Sequence, residues 1–326
     1  MSTRSEIVKL LRDGRFHSGT EMGRALGISR AAVCKGIKIL SDLGLEIHKV
    51  SGRGYRLATS LQPLDKKHIL GHLSDKGVDL HGRLDILESV DSTSRYLLEK
   101  INASPTKDAI CLAEAQLQGR GRRGRSWAAT PYSNLMLSMA WRLQSGPAVV
   151  SGLSLAAGVA VARALDEYGV RETALKWPND VLWKHRKLAG LLVDVAGEAA
   201  GPCFVVLGVG VNGYISERDA EYIDQPWVDL QSITGETVDR NYLAAIIITH
   251  LTRMFEAFSK NGLAVFKEEW EQRHLYNGKH VRLIQGDAEF QGEVEGIDET
   301  GALCIRDETG VKRVFHSGEI SMRLAE

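Results

Sequence analysis

Apolar residues change their period along this chain, and each change marks a different kind of element. Near the start, Ile7, Leu10 and Leu11 recur at i, i+3, i+4, which sets one apolar stripe on a helix ending near Gly14. A second helix is expected with Thr20 as its cap and with Met22, Ala25 and Leu26 turned inward. Leu26-Gly27-Ile28-Ser29 then reads as a turn: Gly27 permits a left-handed bend, Ile28 plugs the corner and Ser29 caps the next helix. That third helix buries Val33, Ile37 and Leu40 at i, i+4, i+7. LGLEIHKVSGRGYRLA follows as strand, Gly-Arg-Gly turn and strand, with Arg53 at the tip. Helices and hairpin in this order predict a winged helix-turn-helix. Ser29, Arg30 and Ala31 then stand where a recognition helix meets base edges, and Lys35, Lys38 and Arg53 where phosphates or a minor groove would lie. The same elements also serve as protein-binding modules. Gly36 inside the third helix costs about 1 kcal/mol relative to alanine, which argues against a stiff recognition element.

From Leu84 the pattern alternates. LDILESV, AICLAEAQ, NLMLSMAWRL, ALKW, DVLWK, KLAGLLVDVA and CFVVLGVGVN read as strands; Asp91-Ser92-Thr93 opens a helix, and SGLSLAAGVAVARALDEYG is a second, Ala-rich one. Short turns such as Lys184-His185-Arg186 imply antiparallel neighbours within a mixed α/β layer. Beyond Asn277, five short segments (VRLIQG, FQGEVEGIDE, GALCIRD, VKRVFHSGE, ISMRL) with Gly or Asp turns suggest a small barrel. The chain is thus expected to be α+β and multidomain: residues 1–60, 65–275 and 277–326, with TSLQPL as a polar connection after the first unit.

Charge sharpens the division. Residues 1–58 carry 11 Lys and Arg against 5 Asp and Glu, or +6, so the remainder of this neutral chain carries −6. A basic block on an acidic body suggests that one end meets nucleic acid. No apolar run approaches the length of a membrane span, and the N-terminus does not read as a signal peptide. The four cysteines are far apart, as for reduced, mostly buried thiols, and a cytoplasmic protein is the expectation.

Two segments interrupt the alternation with chemistry. QGRGRRGRSW, beginning at Gln118, holds Arg120, Arg122, Arg123 and Arg125 between Gly119, Gly121 and Gly124. Glycines let the backbone curl into a concavity of N–H groups, and guanidinium forks take phosphate or carboxylate bidentately. In isolation such a segment equally suits RNA binding or nuclear import. KWPND, beginning at Lys176, makes a tight turn at Pro178 and Asn179, and Lys187 enters a later strand beside Gly190. Alone, Lys187 reads best as a solvated surface lysine.

Taken together at these separations, GRGRRGRSW, KWPND and KLAGLL resemble the bifunctional biotin–protein ligases, also called biotin operon repressors, over essentially the whole chain. The resemblance implies a winged helix-turn-helix, a central α/β catalytic domain like class II tRNA synthetases, and an SH3-like C-terminal β-barrel. It implies a ligase that joins biotin and ATP, with Mg²⁺, into biotinyl-5′-AMP and passes biotin to a lysine of the biotin carboxyl carrier protein of acetyl-CoA carboxylase. It also implies a repressor that binds operator DNA upstream of biotin-synthesis genes as a homodimer when biotinyl-AMP is bound. Carried over residue by residue, biotin contacts fall on Ser92, Thr93, Ser94, Gln116, Arg120, Gly121, Arg122, Lys187 and Gly190, with serine at 94 where the family has asparagine. The nucleotide side falls on Arg122, Arg125, Trp127, Lys176, Asn179, Lys187, Asn212 and Trp227. Lys187 and Arg122 are the expected catalytic groups; no protein metal site is implied, the Mg²⁺ arriving with ATP. The alternatives are a lipoate ligase, a biotin ligase without repressor activity, and a biotin-sensing regulator without ligation.

Overall fold

Three buried clusters organise the chain, and their membership shows where its units meet. The computed structural model describes residues 3–59, 61–80, 83–103, 109–143, 150, 152–197, 203–285, 288–316 and 320–324. Helices α1 (Thr3–Leu11), α2 (Gly19–Leu26) and α3 (Arg30–Asp42) pack with the hairpin β1 (Ile47–Val50) and β2 (Gly54–Leu57) around Ile7, Val8, Leu11, Met22, Val33, Ile37 and Leu40. Two local expectations need correction. The cap of α2 is Ser18, not Thr20: its hydroxyl accepts from Glu21 N at 3.1 Å while the Glu21 carboxylate accepts from Ser18 N at 3.0 Å, a reciprocal pair that satisfies two orphan donors. Ala25 is exposed and Gly23 takes its place on the inner face, because the turn at Ile28 folds back so closely that a side chain at 23 would strike the Ile28 carbonyl. Ser29 caps α3 as expected, accepting from Ala32 N at 3.1 Å. Gly36 faces inward, where a Cβ would stand 2.6 Å from Ile7 Cδ1, so the glycine serves the approach of α3 to α1.

The connection to the second unit is docked rather than simply polar. Leu61 belongs to the first core and Leu64 to the second, and both are buried. Beneath them lies a buried ion pair, Arg240 to Glu114 at 2.7 Å. Arg240 also donates to Gln62 O, and Glu114 accepts from Leu64 N, so both charges are hydrogen-bonded although Arg240 Nη2 itself has no partner. Tyr132, from the second unit, is fully buried in the first core, and Arg4 pairs with Glu88 across the same junction.

After α4 (Lys66–Asp75), seven strands form one sheet: β3 (Arg83–Leu87), β4 (Ala109–Ala113), β5 (Leu135–Leu143), β6 (Thr173–Lys176), β7 (Asp180–Trp183), β8 (Arg186–Gly197) and β9 (Cys203–Val211). Their order is β3-β4-β5-β9-β8-β7-β6; β3 and β4 run parallel and every other pair antiparallel. Helix α5 (Thr93–Ala103) packs on β4, β5 and β9 with Leu97 and Ile101 inward. Helix α6 (Leu153–Glu167) is buried along most of its length, and α9 (Arg240–Asn261) packs beside it. The short helices α7 (Glu217–Ala220) and α8 (Leu230–Thr234) lie in the segment after β9, and α10 (Ala264–Arg273) leads to the last unit. There the five strands expected of a small barrel, β10 (His280–Gln285), β11 (Ala288–Ile297), β12 (Leu303–Arg306), β13 (Lys312–Phe315) and β14 (Ile320–Leu324), form an antiparallel sheet in the order β13-β12-β11-β10-β14. Residues 317–319, which the sequence reading attached to the fourth of these strands, lie outside the described residues. Among the described residues no helix is long and apolar enough to cross a membrane.

Candidate functional site

A cleft of about 710 Å³ opens on the central sheet, and the two sequence segments singled out above meet in it. Its polar end is built at the start of α5. Ser92, Thr93 and Ser94 are all buried there, where helical N–H groups lack intrahelical partners. Gln116, at the end of β4, turns its carbonyl oxygen to Thr93 N at 2.8 Å and to the Thr93 hydroxyl at 3.0 Å. Ser138 of β5 joins the cluster, 2.7 Å from the Thr93 hydroxyl and 2.9 Å from that of Ser94. Ser94 therefore stays within the hydroxyl network although it is shorter than asparagine. Ser138 and Gly208 were not foreseen; they are cross-strand partners, and a Cβ at Gly208 would lie 2.7 Å from Ser94 Oγ.

The middle of the cleft is a floor of glycines. Gly190 and Gly210 are paired across β8 and β9, and the Trp127 indole rests on both. A Cβ at Gly190 would stand 2.8 Å from the indole and one at Gly210 2.5 Å, so a side chain at either position displaces the ring. Gly208 and Gly210 share one sheet face by the two-residue period, which was a readable signal in GVGVN. The loop leading to Trp127 folds on itself: Gly121 N donates to Arg125 O at 2.7 Å, Trp127 N to Gly119 O at 2.9 Å, and Arg122–Gly124 form a 3₁₀ turn. Arg120 is paired with Asp194 of β8 at 2.8 Å, and Arg122 donates to Asn179 Oδ1 at 3.3 Å.

Cations crowd the other end. Lys187 Nζ lies 2.8 Å from Asp180 and 5.4 Å from the centre of the Trp127 ring, with only a sixth of its side chain exposed. It is no solvated surface lysine. Burial pushes the Lys176 ammonium below the usual lysine range; Asp180 opposes this, while Lys187, Arg323 and Arg125 add to it. Burial likewise lowers Arg122, again against Asp180. One carboxylate thus faces several cations, a field that favours polyanions. Asn179 is held in place by its amide donating to Leu191 O at 2.7 Å.

Asn212 and Trp227 act on this end through the backbone. The Asn212 amide donates to Lys187 O at 3.2 Å and Val228 O at 3.1 Å, while Lys187 N donates to Pro226 O at 2.8 Å. Trp227 is thereby fixed beside Lys187 on the cleft wall. Asn134, fully buried and not foreseen, receives Gly213 N and Tyr214 N on its side-chain oxygen. Tyr276, Met322 and Arg323 bring the C-terminal unit to the rim. Among the described residues no group of three or more His, Cys, Asp or Glu gathers to hold a metal. In the first unit Ser29, Arg30, Ala31, Lys35, Lys38 and Arg53 are all exposed, far from the cleft in sequence and absent from its lining.

Comparison with known proteins agrees with this division. Residues 86–212 match the biotin/lipoate A/B protein ligase family, residues 276–323 the biotin protein ligase C-terminal domain, and residues 3–56 a helix-turn-helix domain. The bifunctional ligase/repressor BirA of Escherichia coli K12 is 41% identical over 98% of this chain and 97% of its own length. The biotin–[acetyl-CoA-carboxylase] ligase of Mycobacterium tuberculosis is 34% identical, covering 79% of this chain and 95% of its own. A biotin protein ligase from Aquifex aeolicus, solved with biotin and ATP, superposes with a TM-score of 0.62 at 28% identity, covering 74% of this chain and 99% of that one. With a relative this similar over nearly the full length of both chains, the protein belongs to the bifunctional biotin ligase/repressor family.

Proposed function

We propose that this protein condenses biotin with ATP to biotinyl-5′-AMP and transfers biotin to a lysine of the biotin carboxyl carrier protein of acetyl-CoA carboxylase. In the first step a biotin carboxylate oxygen bonds to the α-phosphorus while the bond to the leaving pyrophosphate breaks. In the second, the acceptor amine attacks the anhydride carbonyl, loses a proton, and AMP departs. The observation that carries this reading is the position of Lys187, over the Trp127 ring and between the hydroxyl cluster and the Lys176–Asn179 end. A cation there lets two anions approach and then meets the charge that builds at phosphorus. Ser92, Thr93, Ser94 and Gln116 would hold the ureido ring, with Arg120 and Gly121 closing over it. Arg122, Arg125, Lys176 and Asn179 would take the nucleotide, with Trp227 beside it and Asn212 placing Lys187. A nucleotide-borne Mg²⁺ would neutralise phosphate charge, and Asp180, beside Lys187 at the cationic end of the cleft, is a carboxylate suited to share it. The polar end also separates biotin from lipoate, since a dithiolane ring would leave those buried hydroxyls without a ligand partner.

The three sequence units, residues 1–60, 65–275 and 277–326, then act as DNA reader, catalyst and cleft rim in a cytoplasmic protein. As a homodimer with biotinyl-AMP bound, it would repress biotin-synthesis genes from operator DNA upstream of them, because one winged helix makes too few contacts for specificity. The deciding experiment incubates the protein with labelled biotin, ATP and a carrier domain. Label on the carrier lysine supports the ligase; none overturns it, and label from lipoate at a comparable rate overturns the substrate.

A further inference from the structure

The first unit carries a second cationic feature apart from its recognition helix. Gly14, Arg15, Phe16, Arg53 and Arg56 line an open concavity at the wing. It is a constructed site. Residue 17 is bridged to residue 55, His17 N donating to Tyr55 O and Tyr55 N to His17 O, both at 2.9 Å. This short third strand sets Phe16 across from Arg56. Gly54, with φ of 101°, leaves room for it, since a Cβ there would strike the His17 carbonyl. The guanidinium carbons of Arg53 and Arg56 then lie 4.8 and 5.0 Å from the centre of the one Phe16 ring.

Two guanidinium groups on a single ring repel each other unless an anion joins them. Among the described residues no carboxylate stands within ion-pair distance of Arg15, Arg53 or Arg56. Asp13 is the nearby acid: it accepts Arg15 N at 2.9 Å and pairs with His17 at 2.9 Å, and Arg15 is one of the charges that lower its pKa. The Arg56 Nε–H is shielded from solvent and has no partner. Stacking on an aromatic face fixes a guanidinium plane while leaving its N–H edge free for a phosphate. The hairpin carrying the cluster touches α3, Tyr55 Oη lying 3.4 Å from Cys34 Sγ, so a duplex read by α3 would run past it.

We propose that Arg15, Arg53 and Arg56, arrayed around Phe16, form a clamp for a backbone phosphate of duplex DNA. It binds without regard to sequence and fixes the register of the recognition helix. This rests on the DNA-binding reading of the first unit.

The test uses the full-length protein and compares wild type with the double variant Arg15→Gln/Arg56→Gln on operator and random duplexes across a salt series. Removing one phosphate contact from each subunit of the dimer should lower the slope of log K against log salt by about 2 and weaken both duplexes by roughly tenfold or more near physiological salt. Phe16→Leu keeps the charges and loses the platform, so the slope should persist with a smaller loss of affinity. Biotin adenylation serves as the folding control and stays at the wild-type rate in all three. A double variant with unchanged slope and affinity within about twofold, beside a wild type that binds duplex DNA normally, overturns the clamp and leaves the DNA reading standing. A wild type with no salt-dependent duplex binding overturns both. A single-stranded RNA titrated alongside supplies the contrary outcome: a loss confined to that RNA overturns the assignment to duplex DNA.

Discussion

Arginine is concentrated twice in this molecule, and the two concentrations sit in opposite electrical surroundings. In the glycine-rich loop, Arg120 is paired with Asp194, Arg122 reaches Asn179, and Asp180 stands close enough to Arg122 to support its charge. Around the wing, Arg53 and Arg56 rest on Phe16 with no carboxylate at ion-pair distance among the described residues. The difference follows from what each must bind. A site that closes on a small ligand has to hold its charges in place when empty, so the sheet supplies temporary partners for a ligand to replace. A surface that meets a polyanion gains from uncompensated charge, because counterion release drives the association. Breaking this comparison begins with the charge that has the strongest partner.

Lys187→Ala removes the cation that Asp180 holds at 2.8 Å and that is proposed to meet the reacting phosphate. Losing one such preorganised donor costs about 10²–10³ in rate. Pyrophosphate release on mixing biotin and ATP should fall by that factor while circular dichroism is unchanged. A variant within about threefold of wild type would show that Lys187 does not stabilise adenylation.

Arg122→Ala comes next. A charge-assisted hydrogen bond contributes about 1.5–3 kcal/mol, so biotinyl-AMP should leave the variant roughly 10–150 times faster. Stopped-flow release of adenylate reads this directly, and bystander lysines should become labelled in proportion. Unchanged release, with biotin confined to the carrier lysine, contradicts the assignment.

Much of this contrast was legible in the chain, and where it was not the reason is physical. The loop's arginines could be seen as composition, and the strands of the central sheet followed from runs such as CFVVLGVGVN; at the wing only Arg53 could be, because Phe16 and Arg56 meet through the His17–Tyr55 bridge. The loop's partners could not be seen, because Asp194 and Asn179 meet it only through the antiparallel register of the sheet. Ser138 hid for the same reason: one serine in an apolar strand becomes part of a site only when β5 pairs with β9 beneath α5. Gly36 read as a weakness because a helix in isolation pays for glycine; packed on Ile7 it has a structural use. Ser18-x-x-Glu21 carries the capping-box signature, which places Thr20, two residues on, inside the first turn of α2 rather than at its cap. Helices α4, α9 and α10 were not assigned from the sequence at all.

Coupling between the two arginine regions gives the third effect. Thr130 accepts Ser216 N at 2.9 Å, and two residues on Tyr132 is buried in the first unit's core. Arg218, on α7 of the same segment as Trp227, lies against Gly44 just past α3. If biotinyl-AMP orders the segment after Asn212, that change reaches the DNA reader through these contacts. Effector coupling is typically about 1–3 kcal/mol, so biotin with ATP should tighten operator binding by roughly 5–150-fold. Mobility-shift titration with and without both substrates measures it; equal affinity in the two conditions rejects regulation and leaves the ligase intact.

The smallest effect probes the temporary partner itself. Asp194→Asn leaves Arg120 without its acid while changing no group proposed to touch biotin. Both side chains are about a quarter to a third exposed, which limits such a pair to roughly 0–1 kcal/mol. Because a ligand replaces Asp194 on Arg120, biotin should be held tighter by the variant, by no more than about fivefold, with the adenylation rate at saturating substrates unchanged. If the pair instead persists and steadies Arg120 over bound biotin, the direction reverses and biotin leaves the variant faster. Dissociation rates of labelled biotin from the two proteins separate these cases. A change beyond about a hundredfold in either direction would mean that Asp194 is part of the ligand site, and the loop's acids would then no longer be mere placeholders that set it apart from the wing.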